Sequence, residues 1–495
     1  SPFGVRNVKV YWNGIPFTDP GGNTFLNMLD RQNVSGLEVI KGPAGSLFGA
    51  GTGGVIKMKS TDYANMANAT QANVTFGSFG LQRYALSWNS LSEKGSITAK
   101  FSHHSADGYR RHNRSNKNVF ELEGLLFNAK DNVTEMSIFY SDLNYQIPGG
   151  LTAEQVAEDP RQPRPRSEER NASIDHQMLL MKIGNTYQIN ASFNNNTQFF
   201  GSFRRFENPF ILDYKRDTEQ RLGLRTFNQH QLGQEENVKL TYGLEYQQAF
   251  LDGKNFGNKE GKSDTIRFAD ELNSQELIAF TTFQYKWKKW HAELGLSFSQ
   301  TTYDINRTID KITNNPRAFK KSFDPVLNPR VAISRDIHSW LSAHFSVSSG
   351  YSVPSTSEVR TNEGSLNTDL QAERGINYEV NLRGGEGKFS YDLALFHFNL
   401  FESITTYTNQ DGVVLFRNSG NIDQNGLELE VKQNWIQGSS GTIQNLTTTL
   451  AYTHHDFKFG DYENRGNNLK GNALTGTAPN VLGFTTDLLT QRGVF

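Results

Sequence analysis

The stretch HAELGLSF, from His291 to Phe298, alternates between polar and apolar residues. Its apolar side chains are Ala292, Leu294, Leu296 and Phe298. Successive side chains of a β-strand point to opposite faces, so a period of two predicts a strand with one apolar face. The same alternation recurs over residues 340–347 and 426–432. The pattern therefore predicts an all-β fold.

Polar segments of two different lengths separate such strands from about residue 70 onward. The predicted short turns are Leu91–Gly95, Lys130–Asn132 and Gly233–Glu236. The predicted long loops are Ser105–Asn116, Gln146–Ser173, Leu251–Asn273, Tyr303–Ser322, Pro354–Gln371 and Lys458–Thr477. Loops of this length are uncommon in compact soluble domains, whereas short turns at one end and long loops at the other are typical of transmembrane β-barrels. We therefore expect a barrel of about eighteen strands, too wide for its own side chains to fill.

The composition excludes several classes of protein. The chain has 495 residues, with 50 Lys+Arg against 51 Asp+Glu, so its charge balance gives no indication of a nucleic-acid partner. It contains no cysteine, which excludes disulfides, iron–sulfur ligation and a cysteine nucleophile. No apolar run approaches the roughly 20 residues of a membrane-spanning helix, so a helical membrane protein is also excluded.

Residues 1–60 lack the rhythm of the barrel and hold only short β-prone runs, at Val8–Trp12, Leu37–Ile40 and Val55–Lys59. Gly49–Gly54 matches the G-x-G-x-x-G pattern of dinucleotide-binding loops. That loop requires a following helix, whose N-terminus binds the pyrophosphate, and a β-prone run follows here instead. A tight loop between two strands explains the glycines equally well. We expect this segment to be a small domain inside the barrel.

Two groups of motifs resemble those of TonB-dependent outer-membrane receptors. Val8–Pro16, Leu37–Pro43, Leu47–Gly49 and Gly53–Ile56 are similar in order and spacing to motifs of the family's plug domain. Asn13, Phe48 and Lys57 depart mildly from the usual Asp, Tyr and Asn. In the barrel, the resemblance is carried by Pro354 and Glu358, Asn367–Leu370, Ala372–Glu373, Tyr378–Glu379, Asn418, Gly420 and Gly426–Glu430. Ala372 stands where the family has Pro.

The resemblance implies an all-β transmembrane barrel, with 22 strands in the family, and a plug domain inside its lumen. We assign residues 1–62 to the C-terminal part of the plug and residues 63–495 to the barrel. The family's plug begins earlier, and its barrel has about four more strands than the eighteen expected here. We therefore expect this chain to be a fragment that lacks both ends.

The resemblance also implies the function. Such receptors bind a scarce nutrient outside the cell, and the TonB-ExbB-ExbD complex supplies the energy for its import. We expect a ferric siderophore as the ligand, of a citrate or carboxylate type, with cobalamin, haem or a saccharide as alternatives. A passive porin is a less favoured alternative because it needs no plug. The resemblance further implies a monomer in the outer membrane of a Gram-negative bacterium, in contact with lipid and lipopolysaccharide. No enzymatic activity, catalytic residue, cofactor or metal site is expected.

The first candidate site is a contact between plug and barrel. Lys41, Glu379 and Glu428 match family positions at which basic plug residues face barrel glutamates. Glu379 and Glu428 alternate with apolar or aromatic neighbours, so both carboxylates are expected to face the lumen. Desolvated carboxylates need a cation, and replacing Lys41 by Glu is expected to loosen the plug. The alternative is that the glutamates are simply hydrated lumen residues.

The second candidate site is the apical plug loop Phe17–Asn27, which in the family faces the outside and helps to hold the ligand. Its candidate ligand-binding residues are Asp19, Asn23, Thr24 and Phe25. The alternative is an ordinary surface loop made of turn-forming residues.

The third candidate site lies in the outer loops. Its arginines are Arg110, Arg111, Arg114, Arg161, Arg164 and Arg166. Guanidinium groups bind carboxylates in bidentate fashion, which suits an anionic ferric complex. Alternatively, these arginines pair with lipopolysaccharide phosphates or with nearby acids such as Glu168 and Glu169. Thr152 and Gln155 have the spacing of a capping box, which predicts a short helix just before Arg161, Arg164 and Arg166.

Two histidine pairs, His103-His104 and His454-His455, raise the question of metal binding. Adjacent residues on a strand point to opposite faces, so neither pair can chelate one ion by itself. Polar side chains at the barrel rim are the favoured interpretation.

Overall fold

A small mixed sheet forms the first part of the chain. The computed structural model describes residues 7–43, 45–49, 51–129, 132–233, 237–312, 315, 317–361, 363–408, 414–464 and 467–491. The plug strands are β1 (Val8–Trp12), β2 (Ile15–Pro16), β3 (Gly36–Lys41) and β4 (Gly54–Lys59), in the spatial order β2-β1-β4-β3. β1 runs parallel to β4, and β3 antiparallel to it.

Local sequence explains two connections of this sheet. Asn13 and Gly14 have φ values of 49° and 86°, which is the left-handed conformation that a two-residue turn between β1 and β2 requires. The glycine stretch after β3 leads directly into β4, and the only regular element within its described residues is a single 3-10 turn, Ser46–Phe48. It is therefore a loop between two strands, whereas a dinucleotide-binding loop would lead into a helix.

The remaining strands belong to the barrel and its loops. They are β5 (Ala69–Gly77), β6 (Leu81–Ser92), β7 (Gly95–Ala106), β8 (Ser115–Ala129), β9 (Asn132–Gln146), β10 (Ser173–Asn190), β11 (Phe193–Pro209), β12 (Tyr214–Leu232), β13 (Val238–Lys259), β14 (Lys262–Trp287), β15 (Trp290–Asp310), β16 (Ala318–Ser322), β17 (Val326–His338), β18 (Leu341–Ser352), β19 (Glu373–Glu386), β20 (Phe389–Phe401), β21 (Ile404–Thr408), β22 (Val414–Asn418), β23 (Ile422–Ile436), β24 (Ile443–Phe459), β25 (Glu463–Asn464), β26 (Asn467–Asn468) and β27 (Asn480–Thr490).

The barrel strands follow one another around the wall in chain order, and each registered pair is antiparallel. β16 and β17 pair with the two halves of β15, so the described residues give eighteen strand positions. In the barrel, β27, the last described strand of the chain, lies next to β5, the first barrel strand. Across this seam the described residues form no residue-by-residue register, and nearly all residues of both strands are exposed.

The alternation of polarity matches the two faces of the wall. In β15, Leu294 and Leu296 are 53% and 40% exposed, whereas Ser297 is buried. Gly295, between the two leucines, faces the plug, and a Cβ there would lie 2.3 Å from Oγ of Ser46. The apolar face of the strand thus points away from the plug, as a lipid-facing surface requires.

Most of the predicted turns and loops occur where the sequence places them. β6 and β7 are joined by a tight turn, while residues 130–131 and 234–236 of the other two predicted turns lie outside the described residues. The long loop before β10 contains α1 (Ala153–Glu158), and Thr152 and Gln155 form its capping box as predicted. A second short helix, α2 (Thr356–Val359), lies in the loop between β18 and β19.

The predicted loop Leu251–Asn273 is wrong. β13 continues to Lys259 and β14 begins at Lys262, so only two residues, Glu260 and Gly261, connect them. Register shifts near Phe256 break the period of two at this outer end. The predicted loop Tyr303–Ser322 is also shorter than expected, because β15 continues to Asp310 and β16 begins at Ala318.

The plug packs into the wall through a shared apolar core. Trp12, Phe17 and Met28 of the plug are buried against Phe139 of β9 and Phe200 of β11. The rings of Trp12 and Phe17 meet the ring of Phe139 edge to face, at centroid distances of 6.0 and 6.2 Å. No helix in the described part of the chain is long and apolar enough to cross a membrane.

Candidate functional site

The plug apex is an ordered loop held by its own side chains. The Asp19 carboxylate accepts hydrogen bonds from the backbone N–H of Asn23 at 2.9 Å and from its side-chain amide at 3.2 Å. The hydroxyl of Thr24 lies 2.7 Å from that of Thr18. Three of the four predicted apical residues, Asp19, Asn23 and Thr24, therefore shape the loop itself.

Phe25, the fourth predicted residue, meets the barrel wall. Its ring lies edge-on to the His176 ring at a centroid distance of 4.8 Å, and the Arg204 guanidinium stands over it at 4.6 Å. His176 is buried, and its Nε2 has no hydrogen-bond partner among the described residues. Leu26 and Asn27, next in the chain, are exposed. The exposed part of the apex thus combines one apolar side chain, Leu26, with one polar side chain, Asn27.

The pKa of the Asp19 carboxyl group is unusually high. Burial, followed by the nearby Glu219 carboxylate, raises its pKa from 3.8 to about 7, while Arg204 and Arg221 act in the opposite direction. Near neutral pH a substantial fraction of this carboxyl group is therefore protonated.

The loop between β18 and β19 folds inward and contacts the apex. The Thr356 N–H donates to the Gly21 carbonyl at 2.8 Å. The Asn23 side chain donates to the Thr356 hydroxyl at 3.0 Å and accepts from the Ser357 hydroxyl at 2.8 Å. A Cβ at Gly21 would lie 2.7 Å from Oγ1 of Thr356, so this close approach favours glycine. Asn23 therefore connects the plug to an outer loop.

The same loop is fixed to the wall by buried charges. Arg360 contacts Asp270 of β14, which also accepts from Arg307 at 2.6 Å. Arg360 also lies 3.7 Å from Asp217 of β12. Asp270 is fully buried. Removing one of its cationic partners is costly because it leaves a buried charge uncompensated. The loop thus bridges the plug apex and the wall.

The predicted plug–barrel residues lie together at one cavity of about 820 Å³ beside β3. Lys41 forms an ion pair with Glu428, and its side chain is 68% exposed. Glu379 instead accepts hydrogen bonds from Asn377 at 3.4 Å and from Asn381 at 2.6 Å. The structure thus joins Lys41 to one of the two glutamates.

Other contacts between plug and wall were not found from the sequence. Asn13 donates to Glu123 at 2.7 Å, and Asn33 donates to Glu121 at 3.1 Å. On the opposite side, Lys9 pairs with Glu276. Further ties run from Tyr11 to Glu245, from Lys182 to the Asn13 carbonyl, from Arg221 to the Thr18 carbonyl and from Arg225 to the Leu47 carbonyl. Glu121 and Glu123 alternate with apolar neighbours, and this signal could have identified them as lumen residues.

The predicted arginines of the first outer loop hold loops together. Arg110 donates to the carbonyls of Gly149 and Gln162, at 2.6 and 2.7 Å. Arg111 pairs with Asp159 at 3.0 Å, and Arg114 lies 3.4 Å from Asp107.

The arginines of the second outer loop differ among themselves. Arg161 donates to the Tyr109 carbonyl at 3.0 Å. The side chains of Arg164 and Arg166 are exposed and have no partner among the described residues. Of the six predicted arginines, these two alone lack a side-chain partner among the described residues. In the described part of the chain, no group of three or more His, Asp or Glu residues is arranged to hold a metal ion.

A plug anchored inside a wide antiparallel barrel defines the class of protein. Residues 61–493 match the family model described as "TonB dependent receptor-like, beta-barrel", and residues 2–56 match that of the "TonB-dependent Receptor Plug Domain". The chain belongs to the TonB-dependent receptors, and its barrel fits an outer-membrane protein.

Solved structures with the same fold include transporters of different cargo. The ferric yersiniabactin uptake receptor FyuA from Yersinia pestis is 13% identical, with a TM-score of 0.73 over 97% of this chain and 74% of that chain. The ferric citrate transporter FecA is 14% identical, with a TM-score of 0.74 over 98% and 74%. The copper transporter OprC is 13% identical, with a TM-score of 0.75 over 92% and 72%. These identities establish the fold and leave the cargo open.

Proposed function

We propose that this receptor binds an anionic ferric siderophore, of a citrate or carboxylate type, and imports it with energy from the TonB-ExbB-ExbD complex. The observation that carries the proposal is a wide barrel whose lumen is occupied by an anchored plug, below outer loops with unpaired arginines. A passive porin has no use for such a plug.

The outer loops support an anionic ligand. Arg164 and Arg166 lie on one exposed loop, and each guanidinium group can bind a carboxylate through two parallel hydrogen bonds. Arg110 holds this loop against its neighbour, so the free arginines are presented on an ordered surface. Lys41 and Glu428, together with the other ties between plug and wall, keep the lumen closed until energy is supplied.

A binding titration tests this proposal. Ferric citrate, ferric hydroxamate and ferric catecholate complexes, haem and cobalamin are added to the purified protein, and tryptophan fluorescence is followed. We expect saturable binding of a ferric carboxylate complex and weaker binding after Arg164→Glu. The matched control is Arg335→Glu, since Arg335 lies at the opposite end of the barrel, beside a short turn. Binding of only haem, cobalamin or none of the panel would contradict the siderophore assignment.

A further inference from the structure

Three basic side chains stand side by side near the outer end of the wall, on β6, β7 and β8. In the strand register, Arg83 lies directly opposite His104, and His104 lies directly opposite Lys117. Directly opposed residues have Cβ atoms about 5 Å apart, so the three bases span about 10 Å. We call Arg83, His104 and Lys117 the basic row.

The basic row faces the lumen. Ser102, two residues before His104 on the same strand, donates to Asp30 of the plug at 3.0 Å. Residues two apart in a strand share a face, so His104 also points inward. Lys117 confirms this direction, because its ammonium group donates to the Leu29 carbonyl of the plug at 2.7 Å.

The charges of the basic row are only partly compensated. Asp30 is the carboxylate that faces the row, and it contacts Arg83. Lys117 has carbonyl partners, on Asn27 and Leu29, in place of a carboxylate. The His104 ring has no hydrogen-bond partner among the described residues. The two permanent cations of the row, Arg83 and Lys117, thus face a single carboxylate, and a bound anion would supply a second negative charge.

The position of the row suits an incoming ligand. The loop that joins β7 to β8, residues 107–114, contains Arg110, Arg111 and Arg114 and begins three residues beyond His104. The exposed apical residues Leu26 and Asn27 lie beside it. A ligand that passes from the outer loops to the plug apex therefore meets the row.

We propose that Arg83, His104 and Lys117 form a subsite for an oxyanion of the ligand, a carboxylate or phosphate group. This proposal rests on the proposed import function and assigns the ligand an anionic group that reaches the plug apex. Arg83 and Lys117 also hold Asp30 and two apical carbonyls. A bound anion therefore competes with the plug's own anchors, and its binding loosens the apex on this side.

Titration calorimetry of the purified chain tests the subsite without iron. Citrate and inorganic phosphate are titrated separately at low ionic strength, where exposed charges are least screened. We expect saturable binding of at least one of these anions. Lys117→Gln and His104→Gln are each expected to weaken it about tenfold, which corresponds to about 1.4 kcal/mol.

His103 supplies a matched control because it is adjacent to His104 and lies on the opposite face. Its ring stacks on Tyr84 at 6.1 Å, and its Nδ1 lies 2.8 Å from the Asn118 side chain. His103→Gln is expected to leave anion affinity unchanged, and heat-dependent gel migration checks that each variant is folded. Failure of the parent chain to bind either anion, or an equal loss in His103→Gln, overturns the proposal.

A further titration with lipopolysaccharide distinguishes the source of the anion. If Lys117→Gln loses only lipopolysaccharide binding, the row recognises a lipid headgroup and the soluble-ligand subsite is overturned. The subsite and the proposed function also fail separately. Iron-free citrate that binds through the row, without binding of any ferric complex in the panel, supports the subsite and contradicts siderophore import.

Discussion

Asn13 shows how one side chain fits the plug to its wall. Its amide donates to Glu123 and to the Ser60 hydroxyl, each at 2.7 Å, and its carbonyl oxygen accepts from the Ser60 N–H at 2.9 Å. An aspartate, the usual family residue, could keep the last contact and would face Glu123 with a like charge. Glu123 of the wall is therefore a physical reason for asparagine, rather than aspartate, at position 13.

Asn13→Asp tests this reasoning because both residues tolerate the positive φ of this turn. We expect the plug to lose about 1–3 kcal/mol of stability, since a donor is replaced by a repelling acceptor. Differential scanning calorimetry measures the effect. The double variant Asn13→Asp, Glu123→Gln is expected to recover most of the loss, and a failure to recover would assign it to another cause.

Asp19 makes plug stability depend on pH. Its pKa is raised to about 7, above its ordinary value of 3.8, so the folded plug holds this proton more tightly than the unfolded chain does. The contribution is fully present below about pH 4 and is lost as pH rises through 7, at about 1.4 kcal/mol per pKa unit at most.

Asp19→Asn is expected to flatten this part of the pH profile, as measured by the melting temperature of the plug at pH 4–8. Asp30→Asn, at a second buried acid of the plug that contacts Arg83 and Ser102 instead, is the matched control variant. An unchanged slope in Asp19→Asn would show that another group titrates.

Among the elements, the loop between β18 and β19 depends most on one buried side chain. Arg360→Gln removes a guanidinium group that is 7% exposed and leaves the fully buried Asp270 with fewer partners. We expect a local loss of about 3–5 kcal/mol and faster proteolysis within residues 353–372. Arg383 pairs with Asp392 on an exposed part of the wall, so Arg383→Gln is expected to cost less than about 1 kcal/mol. Equal protection of the loop in both variants would contradict this role.

The strands that contact lipid could be predicted from sequence because lipid imposes an apolar face. Leu294 and Leu296 show this pattern, and their positions in β15 are as expected. The outer ends of β13 and β14 could not be predicted, because register shifts near Phe256 interrupt the alternation and polar side chains there, such as Asn255 and Asp270, are buried. An alternating sequence pattern thus identifies a strand only where one face of that strand is regularly apolar.

At the scale of the whole molecule, the plug is held by contacts of unequal strength. The side chains of Lys9 and Glu276 are 17% and 12% exposed, whereas those of Lys41 and Glu428 are 68% and 26% exposed. Both pairs join the plug to the wall. The family motifs pointed to Lys41 and Glu428, and only the folded arrangement shows the pair between Lys9 and Glu276.

These two pairs give a matched comparison. Lys9→Gln is expected to lower plug stability by about 1–3 kcal/mol, because it leaves a largely buried carboxylate without its cation. Lys41→Gln is expected to cost less than about 1 kcal/mol, because water already screens this pair. Limited proteolysis and calorimetry of both variants measure the difference. A larger effect of Lys41→Gln would show that the exposed pair is the main tie.

The long hairpin of β13 and β14 has a consequence for the cell surface. Its tip, Glu260 and Gly261, stands at the end of two paired strands well outside the wall's membrane-facing zone. Antibodies and phage particles approaching an intact cell would therefore touch this tip before they reach the plug or the basic row. The tip they meet has a fixed shape, because the Gly261 N–H donates to the Asn258 side chain at 2.9 Å and a Cβ at Gly261 would lie 2.5 Å from Cβ of Asn171.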